Sequence, residues 1–348
     1  MLDGHFANLG MVFGKFGMFG ITWLTFLFAA LLFYVSYCRL TKNQFSLLGL
    51  LKYSFPLSKW KSPSSRIDIF MYIVSKFIGG VFTVVNFSVS VIVAKLISHL
   101  IGVAFPGHAV IELNVITIII WSVVFFIIVD FSNYLTHYLQ HVVPVLWELH
   151  KVHHTATFLT PLTTKRMHPL GDQFDNFVAA LLVGVPLGVC QSLNGLSVVE
   201  MLLMLANANM IGTIIVLDPL RHSHFPVGFG PLDKILISPH MHQLHHSYKP
   251  EHWDKNFGNK LSVWDWWFAT VVRPRKGEEF PLGLGKAEEE EYHTILGVYL
   301  LPLIKIMRLL RGTPASGDRY KGEILNTPFL ERVFGRKPPH IPTQPFQN

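Results

Sequence analysis

Three groups of histidines hold the chemistry this chain has to offer. His137 and His141 stand four apart, and His150/His153/His154 and His242/His245/His246 repeat the pattern HxxHH. On a helix, spacings of three and four bring side chains to one face, so the groups can present eight imidazoles to a common centre. Eight nitrogens exceed what one tetrahedral zinc takes and suit two metal ions. Neutral imidazole binds iron, zinc, copper and nickel. The HExxH signature of zinc hydrolases is absent, as is the Glu and paired ExxH set of soluble di-iron bundles. A nearly all-histidine site gives redox-active iron neutral ligands and room for O2. The reaction it suggests is O2 activation followed by C–H abstraction. Rebound of hydroxyl then gives hydroxylation, and a second abstraction gives desaturation.

The elements that must position these histidines are hydrophobic. Of 348 residues, 50% are hydrophobic and 15% charged, against about 25% charged in a soluble domain. Mean hydropathy is +0.38. Apolar runs at 16–38, 74–103 and 110–131 can each cross the ~30 Å of hydrocarbon in a bilayer. A fourth run, 177–190, is short and broken by Pro186. A fifth, 196–217, follows Asn194-Gly195, and the pair reads as a helical hairpin, spanning or re-entrant. The expectation is an all-α polytopic membrane protein with four to five membrane-embedded helices and a cytoplasmic, histidine-rich helical cap.

Charge sets the orientation. The formal charge is +7, and the loop 39–66 carries Arg39, Lys42, Lys52, Lys59, Lys61 and Arg66 with no acidic residue. Such a loop stays cytoplasmic. The connection around Pro106-Gly107-His108 has no Lys or Arg and faces outward, which returns all three histidine groups to the cytoplasmic side. No basic, aromatic-studded soluble surface points to nucleic acid. Cys38 and Cys190 have no CxxC partner, so neither a disulfide framework nor a thiolate metal site is expected. The N-terminus MLDGHFANLG lacks a charged n-region, and the first run reads as a retained anchor. The polar stretches 142–176 and 218–275 hold the chemistry, and Trp264, Trp266 and Trp267 read as an interfacial aromatic belt. The segment Ile295–Leu310 reads as an interfacial helix with a basic end. The tail from Gly312 reads as an extended cytoplasmic segment.

From Asp130 to Thr270 the chain resembles the fatty acid hydroxylase/sterol desaturase superfamily of integral-membrane, histidine-rich di-iron oxygenases. The resemblance runs through Asp130-x3-Tyr134-x2-His137-x3-His141, where Leu135 and Tyr138 replace the family Trp and Arg. These departures bear on how the histidines are supported or on donor docking. It continues with Trp147-Glu-Leu-His150-x2-His153-His154-Thr155 and with Arg166-Met-His168-Pro169. His222-Ser223-His224 has His224 in place of the family Asn. Last come Ser238-Pro239-His240-Met-His242-x2-His245-His246, Asn256-Phe-Gly258 and Trp264-Asp265-x2-Phe268-Ala269-Thr270, where Ala269 replaces Gly.

The resemblance implies metal ligation by His137, His141, His150, His153, His154, His242, His245 and His246, with His222 as a ninth. His168, His224 and His240 are candidate ligands or supports, and Asp130, Glu148 and Asp265 are candidate partners that orient ligand imidazoles. Asn256 and Gly258 are expected to shape a turn. The implied cofactors are two Fe ions, with O2 as co-substrate and a lipid (fatty acyl, sterol or similar hydrophobe) drawn from the bilayer. Electrons must come from a separate electron-transfer protein, since no flavin fingerprint, iron–sulfur pattern or fused haem domain is present. The expected layout is a membrane anchor at 1–129, the di-metal catalytic domain at 130–275, and an interfacial helix with tail at 276–348. Ether-lipid cleavage or carotenoid hydroxylation on the same site, and a non-catalytic histidine-rich metal-binding or transport protein, are the competing readings. A transporter would place ionisable groups at mid-bilayer, whereas these clusters lie at span ends or beyond them.

Overall fold

The computed structural model describes residues 15–197, 200–201, 204–205, 212–275 and 277–312. The N-terminal decapeptide, the middle of the fifth apolar run and the tail beyond Gly312 lie outside the described residues. The described helices are α1 (Lys15–Thr41), α2 (Leu47–Ser54), α3 (Leu57–Trp60), α4 (Pro63–Ala104), α5 (Val115–Val142), α6 (Pro144–His154), α7 (Pro169–Asn194), α8 (Pro239–His245), α9 (Val263–Trp267), α10 (Lys286–Glu291) and α11 (Ile295–Leu310). No strand occurs among the described residues, only two isolated bridges. Four helices, α1, α4, α5 and α7, are long and apolar enough to cross a membrane. The all-α membrane fold expected from hydropathy is the one the chain adopts.

Burial along each long helix marks where lipid gives way to protein. The early residues of α5, among them Val115, Ile116, Ile119 and Ile120, are exposed and apolar, whereas Asp130, Ser132, Tyr134, Thr136, Gln140 and His141 near its end are buried. That inversion is what a helix shows when it leaves hydrocarbon and enters a protein cap. Helix α4 mirrors it, with Ser64, Ser65 and Asp68 buried at its start and Phe77, Val81 and Val84 exposed further on. At 1.5 Å per residue its 42 residues extend about 63 Å, twice the hydrocarbon thickness. It is one continuous rod from cap to far side, started by Ser62, whose hydroxyl accepts from Ser65 N, and by Pro63 in the first turn.

Helix α7 corrects the sequence reading. It runs unbroken through Pro186 for 26 residues, so the short fourth run is the apolar part of a full-length helix. Tertiary packing holds it. A side chain at Gly184 would meet Val93 Cβ at 2.6 Å, and one at Gly188 would meet the Ala94 carbonyl at 2.5 Å. The backbones of α4 and α7 therefore touch through a small-xxx-small pair. Ser90 Oγ donates to the Ala180 carbonyl at 3.2 Å, and Asn86 and Gln173 pair reciprocally through two 3.0 Å bonds.

The cap is fastened to α4 by Arg166, which is fully buried. Its Nη1 donates to Ser64 O at 2.9 Å and Asp68 Oδ1 at 3.0 Å, and its Nε donates to Val152 O at 3.0 Å. Because Ser64 lies at the end of the basic loop 39–66, that loop and the histidine segments share one side of the molecule. Helix α11 packs against α6 and the start of α4 through Val298, Tyr292, Val152, Ile67 and Met71. It leaves Leu296, Leu300, Ile304, Met307 and Leu310 exposed.

Candidate metal centre

One residue folds the first two histidine groups together. Val143 is both the C-cap of α5 and the N-cap of α6, with extended backbone (φ −96°, ψ 117°) and Pro144 in the first turn of α6. Proline suits a first turn and disfavours helix in the residue before it, so α6 turns back sharply and its histidines face those of α5. The loop carrying His222 is pressed into place by α1, where Phe26, Ala29 and Ala30 pack on Leu220 and Phe225.

The nine expected histidines do not share one centre. They sort into two groups, His137/His141/His150/His154/His245 and His153/His222/His242/His246, each with ligand atoms within 4.8 Å of one another. The sorting follows helix geometry. At 100° per residue, positions i and i+4 lie 40° apart, while i+3 falls on the other side of i. Helix α6 therefore gives its four-spaced pair, His150 and His154, to the first group and His153 to the second. Helix α8 does the reverse, giving His242 and His246 to the second group and His245 to the first. Each HxxHH segment thus serves both centres.

The donor set fits a metal. In the second group, Nε2 of His222 lies 3.1 Å from Nε2 of His153 and 2.9 Å from Nε2 of His242, which is 3.3 Å from Nε2 of His246. Donors on one ion with bonds of about 2.1 Å sit about 3.0 Å apart at right angles and about 3.4 Å apart at the tetrahedral angle. Nε2 of His154 is buried with no hydrogen-bond partner, a cost of about 1–3 kcal/mol unless something satisfies it. Burial, and after it neighbouring charged groups, holds His154, His222, His242 and His246 well below the usual imidazole pKa and His153 at about 3. The rings are neutral at physiological pH, as metal ligation requires.

Backbone carbonyls, more than carboxylates, aim the rings. Nδ1 of His137 donates to Phe257 O at 3.0 Å and Nδ1 of His245 to Lys255 O at 2.6 Å. Nδ1 of His141 pairs with Asp254 Oδ1 at 3.2 Å. These bonds turn each Nε2 toward the first group. Asp254 and Asn256 both lie in the left-handed region, at φ 54° and 56°. Asn256 holds that turn as expected: Nδ2 donates to Met241 O (2.9 Å) and Val272 O (2.7 Å), and Oδ1 accepts from Val272 N (2.8 Å). A side chain at Gly258 would meet Leu261 O at 2.5 Å, which explains the glycine.

His242 is supported differently. Arg221 Nη2 donates to its Nδ1 at 3.0 Å. A guanidinium only donates, so the neutral ring keeps its proton on Nε2 and must release it to ligate there. His222 Nδ1 pairs with Thr164 Oγ1 at 3.1 Å.

The carboxylates expected to orient imidazoles stand one step further out. Asp130 accepts from Lys260 N at 2.7 Å, Leu261 N at 3.1 Å and Trp264 Nε1 at 2.9 Å. Asp265 accepts from Phe257 N, Gly258 N and Thr270 Oγ1. Both shape the loop whose carbonyls hold the histidines. Glu148 pairs with buried Lys151 at 2.9 Å on the side of α6 that meets α10. His168, His224 and His240 stay outside both groups. His168 caps α7 and bonds Tyr299 O at 3.1 Å, His224 bonds Tyr53 O at 3.2 Å, and His240 lies against Phe280. Tyr138, in the place of the family Arg, is buried against Phe257. Sequence reasoning missed Asp254, Thr164 and Arg221. The only signal was their position, Arg221 beside His222 and Asp254 two residues before Asn256.

His137, His150, His153, His222 and His242 form one wall of a cavity of about 370 Å³. Asp172 and Asp175 of α7, Asn133 and Thr136 of α5, and Asp218, Arg221 and Lys260 line the same cavity.

Comparison with known proteins adds relatives. Residues 122–270 match the family model described as fatty acid hydroxylase. An ornithine lipid hydroxylase of Rhizobium tropici is 27% identical over 161 residues, covering 45% of this chain and 44% of the relative. The alkylglycerol monooxygenase of Danio rerio is 30% identical over 149 residues, covering 42% of this chain and 29% of the relative. That of Xenopus tropicalis is 26% identical over 147 residues, with the same two shares. The chain spans less than half the length of these relatives. No solved structure matches.

Proposed function

Because residues 122–270 match the fatty acid hydroxylase family model, we propose that this chain is a membrane-bound di-iron oxygenase that hydroxylates a lipid. The observation that carries the reading is the division of nine histidines, eight of them buried, into two interleaved groups. The proposed ligands are His137, His141, His150, His154 and His245 for one iron and His153, His222, His242 and His246 for the other. Bound iron would supply O2 activation and C–H abstraction. The overall balance is one C–H bond, O2, two electrons and two protons giving C–OH and water. The electrons come from a separate protein. The relatives' names, a hydroxylase and monooxygenases, support hydroxylation over desaturation, and the alkylglycerol monooxygenases support including ether lipids among the substrates tested.

The chain's own residues do the rest. The carbonyls of Phe257 and Lys255 and the carboxylate of Asp254 hold protons at Nδ1 of His137, His245 and His141, which fixes ring direction before any ion arrives. Arg221 favours loss of the Nε2 proton of His242. The basic loop 39–66 supports a cytoplasmic face for the site, and we take 1–129 as the anchor and α11 as lying along the interface. The test is iron content, O2 uptake and lipid product analysis on purified protein given a reductant. Iron near two per chain with a hydroxylated lipid is expected. A protein that carries metal across vesicle membranes without consuming O2 would refute the reading.

A further inference from the structure

We propose that the substrate is a lipid bearing an ammonium headgroup, held by Asp172 and Asp175 inside the cavity while its chains lie in the groove along α4. The proposal rests on the oxygenase reading for its chemistry but not for its binding.

The cavity is polar where an acyl-chain tunnel would be apolar. Among the described residues that line it, only Met167 and Phe257 are apolar. Its 370 Å³ far exceeds the roughly 10–15 Å³ that admits one water. Its charges are unbalanced in a particular way. Asp218 is closed by Arg221 at 2.9 Å and Lys260 at 3.3 Å. Asp172 and Asp175, one helical turn apart on α7, form no ion pair among the described residues. Asp175 accepts only neutral hydrogen bonds among the described residues, from Gln140 Nε2 at 2.8 Å and from the Thr136 hydroxyl. A mid-chain methylene brought to the histidines would strip water from these carboxylates with nothing in return. An ammonium would form charge-assisted bonds with them.

The second observation lies outside the cavity. Met71, Val74, Ile78 and Phe82 line a groove on α4 at helical spacing, and Met167 and Asp172 belong to both groove and cavity. An amphipathic molecule would lay its chains along this apolar face of α4 and pass its head beyond Met167. The carbon facing the histidines is then within a few bonds of the head.

The test uses the full chain, stripped of metal, in nanodiscs. The probes are fluorescent phosphatidylethanolamine, its N-acetyl derivative and phosphatidylglycerol, all with the same acyl chains. The amine lipid should bind about tenfold more tightly than either, the effect of one partly desolvated charge pair. Asp172→Asn with Asp175→Asn should bring the three within about twofold by weakening the amine lipid alone. Each single variant should lose part of the preference, so the test survives if the double variant fails to fold, and the lipid comparison on the unaltered chain needs no variant. Equal binding of the three lipids, a preference for phosphatidylglycerol, or an amine preference that survives in the variants would overturn the proposal. So would variants that lose O2 turnover but keep the lipid preference. Because the protein is stripped of metal, an amine preference in a chain that takes up no O2 would sink the oxygenase reading and leave this one standing.

Discussion

His153→Ala and His154→Ala alter adjacent residues, yet they should release different ions. His153 is one of four nitrogens in the second group and His154 one of five in the first. Four-donor structural sites bind zinc with about 10–16 kcal/mol, which is about 2.5–4 kcal/mol per donor. Losing one donor of four should therefore weaken that ion by roughly 10²- to 10³-fold. Spread over five donors, the same energy gives about 2–3 kcal/mol, or roughly 30- to 200-fold. The assay is iron per chain by elemental analysis across a chelator titration, with Mössbauer spectra of ⁵⁷Fe-loaded protein to tell the ions apart. The expected result is one weakly held iron in each variant, with opposite spectral components lost and the second group the more fragile. Loss of the same component in both variants would refute the two-group sorting, and full retention in either would remove that residue from the ligands.

Asn256→Ala removes three buried hydrogen bonds and puts alanine at a left-handed φ. It should cost about 3–5 kcal/mol, read by thermal unfolding, and should weaken iron in the first group more than in the second. Gly188→Val would drive a side chain into the Ala94 carbonyl and should destabilise by at least ~1–3 kcal/mol, with accessibility labelling showing α4 and α7 parted. The metal-free protein should lose stability in acid. His153 titrates at about 3 in the fold and His154, His222, His242 and His246 also titrate below the unfolded value. Below pH ~6.5 the unfolded chain takes up protons that the folded chain refuses. Stability should fall by about 1.4 kcal/mol per pH unit per ring, and a flat melting profile from pH 7 to 5 would contradict it.

Much of this was legible in the chain. The HxxxH and HxxHH spacings named the metal-capable rings, and unbroken apolar runs named the spans. Which ring belongs to which of the two ions was not legible, because spacing shows which rings share a face but not which neighbouring helix that face meets. That depends on the turn at Val143 and on how α8 approaches α6. The carbonyls of Lys255 and Phe257 were invisible because any residue carries a carbonyl, and only the backbone path decides where it points. Asp130 and Asp265 were read as partners of histidine because their motifs sit near the clusters. They act through the loop between. Pro186 looked like a break because local propensity says so, while Gly184 and Gly188 let α4 hold the helix together across it.

The long rod of α4 has a consequence for regulation. Its first turns are bolted by Arg166 to the segment between the histidine groups, and beyond them it packs on α7 along one face and leaves apolar side chains exposed on another. A bilayer thicker or thinner than its apolar stretch changes its tilt, and a rigid rod carries that rotation to its anchored end. The same tilt reshapes the groove along α4 that borders the cavity. The physical state of the membrane is therefore an input to the alignment of the two histidine groups.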